Sequence, residues 1–358
     1  MKKKNFKNFK NFDFFQEKIL NTLSRIFLSS LLVISFFYVT PMFINFFEKN
    51  FNNKEFTNNS KKILAYTLNS NGEKIDKNLS INEDDLLIDI FSLNELESDS
   101  VRLSAATIKQ LFEDTNYSLN DVRKNKLVKP VALTLLPDEI KMIENTKKRK
   151  EFFIQIVLPL IIKENNNIRL DRKTLFSIIN KSNNTASEID WLQKKYKQYG
   201  IKFKDLSTLK IRMDEVPVSL AIAQAAKETG WGTSRFAQEG NALFGQWTWS
   251  GEGLKPKDAE EGQGHKVMKF NILQASVRAY QRNLNTHSTY KEFRKARAEF
   301  RDLSKPLDSL ELAKYLNNYA ETGNQYVDVL QKIIKQNKLQ DFDDAKLLPS
   351  SVDLESLI

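Results

Sequence analysis

Cysteine is absent from this 358-residue chain, and histidine occurs only at His265 and His287. The first absence excludes disulfides, a thiolate-ligated zinc, an iron–sulfur cluster and a cysteine nucleophile. The second excludes a three-histidine metal site, and a site of two histidines and a carboxylate would consume both. The chain has no Gly-rich phosphate loop, no Gly-x-Ser-x-Gly elbow and no evident internal repeat. These gaps lead to the expectation of no cofactor and no metal. At 41% hydrophobic and 28% charged residues, the composition supports a sizeable core. The length suits about two domains.

The net charge is +10. Half of it lies in the first 25 residues, where Lys2, Lys3, Lys4, Lys7, Lys10, Lys18 and Arg25 face only Asp13 and Glu17. Ile26 to Phe47 then follows without one charge. A helix needs about 20 such residues to cross a bilayer. Basic residues on its N-terminal side predict a cytoplasmic tail (1–25), a single membrane span (26–47) and an exported remainder. The alternative of a cleaved signal peptide requires a small-residue cleavage site, whereas bulky Phe46, Phe47 and Phe51 follow here. A buried core helix fits less well, because the run is apolar on all faces. Pro41 would kink the span, which membranes tolerate. This topology disfavours a nucleic-acid partner, and the remaining positive charge suits an anionic wall or membrane surface.

Residues 48–125 read as a tether and accessory region. Acidic stretches such as 82–85 and 94–99 carry no evident chemistry. From Lys126 a helical region (126–210) is expected. Phe152, Phe153, Ile156, Val157 and Leu160 recur at helical spacing over 149–165, with Pro159 bending that helix. Two more helices are predicted in 171–199, with Trp191 and Leu192 as core. A core carrying the chemistry (211–345) and a short C-terminal tail (346–358) complete the chain.

The informative stretch begins at Asp214. Pro217, with Asp214 and Glu215 before it, suits a helix start, and Gly230 suits its end. Between them Ser219–Thr229 is Ala-rich. Leu220, Gln224 and Glu228 share one face, and Ala221 and Ala225 line an adjacent one that permits close packing. Glu228 therefore sits in the last turn, before Gly230-Trp231-Gly232. The negative end of the helix and a water-excluding indole at Trp231 would both keep its carboxyl protonated near neutral pH. Such a group is a general acid; a glutamate in isolation is more often a solvated surface residue.

The surrounding residues decide between those readings. Glu228-Thr-Gly-Trp-Gly232 followed by Asn241-Ala-Leu-Phe-Gly245 closely resembles the bacterial Bax family (unrelated to the apoptosis regulator), part of a wider glucosaminidase group with a lysozyme-like fold. Thr229 stands where Ser is commoner. The resemblance continues through His265–Phe270, Ser276-Val277, Asn283–His287, Tyr290 and Tyr319–Val327, and spans roughly 126–347. It implies a mainly α, α+β lysozyme-like fold, a helical domain with a small β-lobe at Leu243–Ile272. It implies cleavage of β-1,4 bonds beside N-acetylglucosamine in peptidoglycan, with Glu228 as the acid.

The resemblance implies a second carboxylate in the lobe, in the loop between a strand at Trp247–Trp249 and another at His265–Ile272, unless the substrate's own N-acetyl group takes that part. Glu252, Asp258, Glu260 and Glu261 are the candidates, and the resemblance favours Glu261, which precedes Gly262 nearest the His265 strand as an acidic residue before glycine does in Bax-like sequences. Tyr319 is expected, by the resemblance, to face the scissile bond. Gln224, Trp231, Asn241, Phe244, Trp247, Trp249 and Tyr326 are candidate substrate-binding residues. Trp247 and Trp249 are equally well read as lobe core, and Tyr326 better as packing. His265 reads as structural, and His287 as a cap at a helix break. Two other readings stay open: a lytic transglycosylase closing an anhydro product, and an anchored peptidoglycan-binding scaffold without catalysis. Separation of two carboxylates would distinguish inverting from retaining hydrolysis.

Overall fold

The computed structural model describes residues 101–201, 205–248, 253–255 and 266–349, together with Ile90. The expected cytoplasmic tail, membrane span (26–47) and tether lie outside the described residues. Among the described residues no helix is long and apolar enough to cross a membrane.

Two helices open the described chain. In α1 (Ala105–Asp114) and α2 (Leu119–Asn125), Ser104 and Ser118 accept backbone N–H bonds as N-caps. Both lie before the boundary drawn at residue 126, yet Ile108, Phe112, Leu119 and Val122 join the main core. Strand β1 (Leu127–Val128) follows and pairs in parallel with the last strand of the chain.

The scaffold is α3 (Thr146–Ile179). The five predicted positions Phe152, Phe153, Ile156, Val157 and Leu160 are all buried. The helix runs on through 171–179, so the first of the two helices predicted in 171–199 is the end of this one. Pro159 does not break it. Proline removes one i→i−4 hydrogen bond and leaves a carbonyl unserved, here that of Gln155. The Tyr117 hydroxyl donates to that carbonyl at 3.1 Å, and Gln155 Nε2 donates back to the Tyr117 carbonyl at 2.9 Å. Then come α4 (Ala186–Gln198), entered through a Thr185–Glu188 capping box, and α5 (Leu206–Arg212). Leu192 is buried as expected, and Trp191 is half-buried with Lys195 over its ring.

Helix α6 (Val218–Thr229) lies against α3 in the main core, with Ala221, Ala223, Ala225 and Ala226 buried. Its N-terminus differs from expectation. Asp214 and Glu215 turn away to Arg301, with Arg169 also on Glu215. Fully buried Arg297 donates to the carbonyls of Asp214, Glu215 and Ile211. The α6 N-terminus is instead served by Asp343, which accepts from Ser219 N at 2.8 Å and Ser219 Oγ at 2.7 Å.

After α7 (Arg235–Gly240) the chain forms a three-stranded antiparallel sheet, β2 (Trp247–Thr248), β3 (Gly253–Leu254) and β4 (Lys266–Met268), in the order β2-β4-β3. Val267 faces both Trp247 and Leu254. β4 is shorter than the predicted His265–Ile272 strand. Phe270 N leaves the ladder to bond Gly240 O at 2.9 Å, and Phe270 and Ile272 turn into a small separate core with Ala275 and Ala279. The rest is helical: α8 (Leu273–Thr286), α9 (Lys291–Asp302), α10 (Ser309–Ala313) and α11 (Asn324–Gln336). Strand β5 (Lys346–Leu347) closes the parallel pair with β1. The described chain is thus mainly helical with a small sheet after α7, as the fold expectation required.

Candidate active site

The end of α6 builds the site. Gly230 takes φ +57 as the left-handed C-cap, which glycine adopts without a Cβ penalty. Trp231 and Gly232 continue at φ +63 and +84. Thr229 holds this turn: its hydroxyl donates to Ala225 O at 2.6 Å and accepts from Gly232 N at 2.9 Å. A serine hydroxyl could make the same two bonds. A Cβ on Gly232 would lie 3.0 Å from both Ile140 Cδ1 and Phe153 Cδ2, so this glycine serves close packing as well as backbone freedom.

This turn presents Glu228 half-buried at the last turn of α6. Its Oε1 accepts from the Tyr326 hydroxyl at 2.9 Å. Behind that bond lies a buried chain. Tyr280 Oη donates to Gln224 Oε1 at 2.7 Å, and Gln224 Nε2 donates to Tyr326 Oη at 3.1 Å. Gln224 and Tyr280 are fully buried and Tyr326 nearly so. The other carboxyl oxygen, Oε2, faces Gly245 (φ +62), where a Cβ would stand 3.2 Å from it.

Burial raises the Glu228 carboxyl above the usual glutamate range; the Tyr326 bond and the Lys227 charge pull more weakly the other way. The raised direction matches the sequence expectation. Trp231 lies edge-on to Phe153, with ring centroids 6.0 Å apart and Lys150 Nζ 5.0 Å above it. Among the described residues, three tyrosines sense the Glu228 charge. Tyr326 stacks on Tyr319 (5.5 Å, 8°), and Tyr319 lies 5.9 Å from Tyr290. Burial lifts all three hydroxyls, Tyr290 to about 12, and the Glu228 charge adds to each.

The structure brings Glu228, Gln224, Tyr319 and Tyr326 together; Gln224 and Glu228 share the α6 face that helical spacing predicts. Tyr319 also donates to the Phe244 carbonyl at 2.9 Å. Phe244 is buried and stacks on Tyr280 (3.8 Å, 7°). Asn241 is buried at the α7 C-cap in the left-handed region, where its Nδ2 donates to Phe270 O at 2.9 Å. Tyr326 is both a packing residue and the donor to Glu228 Oε1. His287 caps, as expected: its Nδ1 accepts from Thr289 N at 3.3 Å. The backbone of Trp247 lies in β2. Trp249, His265, Glu252, Asp258, Glu260 and Glu261 lie outside the described residues.

Sequence reasoning missed Tyr280 and gave Tyr290 no role. The signal available for Tyr280 was its place with Val277 and Leu284 at i, i+3 and i+7 on α8, which predicts burial. A buried tyrosine hydroxyl needs a partner, but only the fold supplies Gln224.

A family model described as glucosaminidase, mannosyl-glycoprotein endo-beta-N-acetylglucosaminidase, matches residues 203–339. That range holds Glu228, Gly245 and all four tyrosines. The protein named "Protein bax" of Escherichia coli (strain K12) is 30% identical over 235 residues, covering 64% of this chain and 81% of that protein. No solved structure matches. With that identity extending over most of the relative's length, the chain belongs to the bacterial Bax family and carries its glucosaminidase-type domain.

Proposed function

We propose that this chain is a membrane-anchored peptidoglycan hydrolase of the endo-β-N-acetylglucosaminidase type, with Glu228 as general acid. The observation that carries the proposal is a carboxyl raised by burial, held by one oxygen on Tyr326 and with the other oxygen facing Gly245. Membership in a glucosaminidase-type family supports glycoside hydrolysis as the reaction class.

In this reading, protonated Glu228 gives its proton to the glycosidic oxygen as the C1–O bond breaks and that oxygen takes the bonding pair. Oxocarbenium character develops at the sugar. Water then adds at C1 and returns one proton to the site, where Glu261 is the proposed partner carboxylate. Tyr319 lies beside the acid, and Trp231, Trp247 and Trp249 are proposed to meet sugar rings. Residues 26–47 hold the protein in the inner membrane with its N-terminus in the cytoplasm. The hydrolase thus faces the wall outside that membrane, and its partners are glycan strands.

Digestion of purified peptidoglycan by the chain, wild type beside Glu228→Gln, with products resolved by mass spectrometry, tests the proposal. New reducing N-acetylglucosamine ends from wild type, reduced about 10²–10⁴-fold in the variant, are expected. Anhydro ends would replace hydrolysis with transglycosylation. Retained binding without products from either protein would leave a scaffold.

A further inference from the structure

We infer that Tyr280 and Gln224 are positioning residues: they fix the direction of a buried hydrogen-bond relay so that the acidic proton of Glu228 resides on Oε2, toward Gly245. The inference rests on the reading of Glu228 as the acid, and deepens it.

The chain Tyr280–Gln224–Tyr326–Glu228 has two self-consistent directions. In one, each hydroxyl or amide donates toward Glu228, as the 2.7, 3.1 and 2.9 Å bonds are arranged. In the other, a protonated Glu228 Oε1 donates to Tyr326, Tyr326 donates to a flipped Gln224 amide, and Gln224 donates to Tyr280. Local strength favours the second, because a carboxylic acid is a better donor than a phenol. The far end decides otherwise. Tyr280 is fully buried, and its hydroxyl has Gln224 as its hydrogen-bond partner among the described residues. Reversal would leave that O–H with no acceptor, and a buried unmade donor is costly. Tyr280 must donate, so Gln224 presents its amide N–H to Tyr326, and Tyr326 donates to Oε1. An oxygen that accepts this bond is the carbonyl oxygen of the neutral acid. The proton is left on Oε2.

Gly245 completes the device. A side chain there would sit 3.2 Å from Oε2, in the space where the oxygen to be protonated must arrive. Phe244, next to it, stacks on the Tyr280 ring. The residue that sets the relay's direction and the residue that clears space for the proton are thus packed through one neighbour.

Tyr280→Phe keeps the stack on Phe244 and removes only the hydroxyl. The unmade Tyr280 O–H no longer opposes reversal: either direction now leaves one end of the Gln224 amide without a partner at residue 280, so the stronger carboxylic-acid donor decides and Glu228 directs its proton into Tyr326. Expected is a drop in kcat of about tenfold, equivalent to ~1.4 kcal/mol, with KM changed less than twofold. In the full-length chain labelled with ¹³C-carboxyl glutamate, the Glu228 resonance, assigned with Glu228→Gln, is followed against pH by NMR. Reversal stabilises the neutral acid, so its titration moves upward in Tyr280→Phe. In a Gln224→Met background, where the relay is already cut, Tyr280→Phe moves neither kcat nor titration.

An unchanged Glu228 titration in folded Tyr280→Phe overturns the relay, whether or not the chain cleaves glycan. Equal effects of Tyr280→Phe in the Gln224 and Met backgrounds also overturn it, since a purely structural hydroxyl would act alike in both. If wild type releases no glycan product while the titration moves as expected, the relay stands and the hydrolase reading falls.

Discussion

Substituting Gly245 by alanine separates backbone cost from damage to the acid. At φ +62 the left-handed conformation disfavours any residue with a Cβ by about 1–2 kcal/mol. For a domain of this size that lowers Tm by roughly 2–8 °C. The new methyl would stand 3.2 Å from Glu228 Oε2, closer than ordinary contact. The carboxyl must swing away, and its freedom is small because Oε1 is held 2.9 Å from Tyr326. A misplacement of about 1 Å can cost about 10² in rate, so a shorter swing is expected to lower kcat about tenfold. The assay is hydrolysis of purified peptidoglycan beside thermal unfolding of the same preparation. Gly200→Ala, at φ +63 in the turn after α4, supplies the backbone cost for comparison. A Gly245→Ala protein that loses stability but keeps kcat within twofold would refute the reasoning that this glycine clears the acid's reactive side.

Two further outcomes concern stability. Burial pushes the Asp343 carboxyl up to about 6, against an unfolded value of 3.8. A raised carboxyl binds more protons folded than unfolded, so its contribution is full below pH 3.8 and is lost as pH rises through 6. Glu228, raised by burial, adds to the same slope. Denaturant unfolding between pH 4 and 7 should therefore show stability falling with pH, by up to about 3 kcal/mol for Asp343, and Asp343→Asn should flatten that fall. Tyr117→Phe should cost about 1–3 kcal/mol, because it strips the donor from the Gln155 carbonyl that Pro159 leaves unserved. Pro159→Ala, which restores a backbone donor, should recover part of that loss in urea unfolding.

Much of the setting of Glu228 was legible in the chain. Pro217 and Gly230 bracket α6 because each has a backbone preference that holds in any context. The apolar spacing in 149–165 identified the buried face of α3, because periodicity reports burial directly. Glu228 and Gln224 fell on one face by the same arithmetic. Local reasoning failed where a partner came from far along the chain. Asp214 and Glu215 stood next to the α6 N-terminus, but three buried or half-buried arginines from α3 and α9 claim Asp214, and Asp343 serves the helix instead. Proline in α3 implied a bend near its middle, and a tyrosine from the preceding segment repaired the missing bond.

The same division separates the two halves of the site. The residue types and their order, Glu228 at a helix end, two glycines flanking a tryptophan, and the Leu-Phe-Gly segment, follow from the sequence alone, since backbone preference and helical period are local properties. Only the tertiary structure decided the direction in which the hydrogen-bond chain behind that carboxyl runs. That direction depends on a hydroxyl on α8, an amide on α6 and a hydroxyl on α11, more than a hundred residues apart at the extremes. Hydrogen bonds are short-ranged and directional, so a donor's partner is settled by packing and not by its distance along the chain.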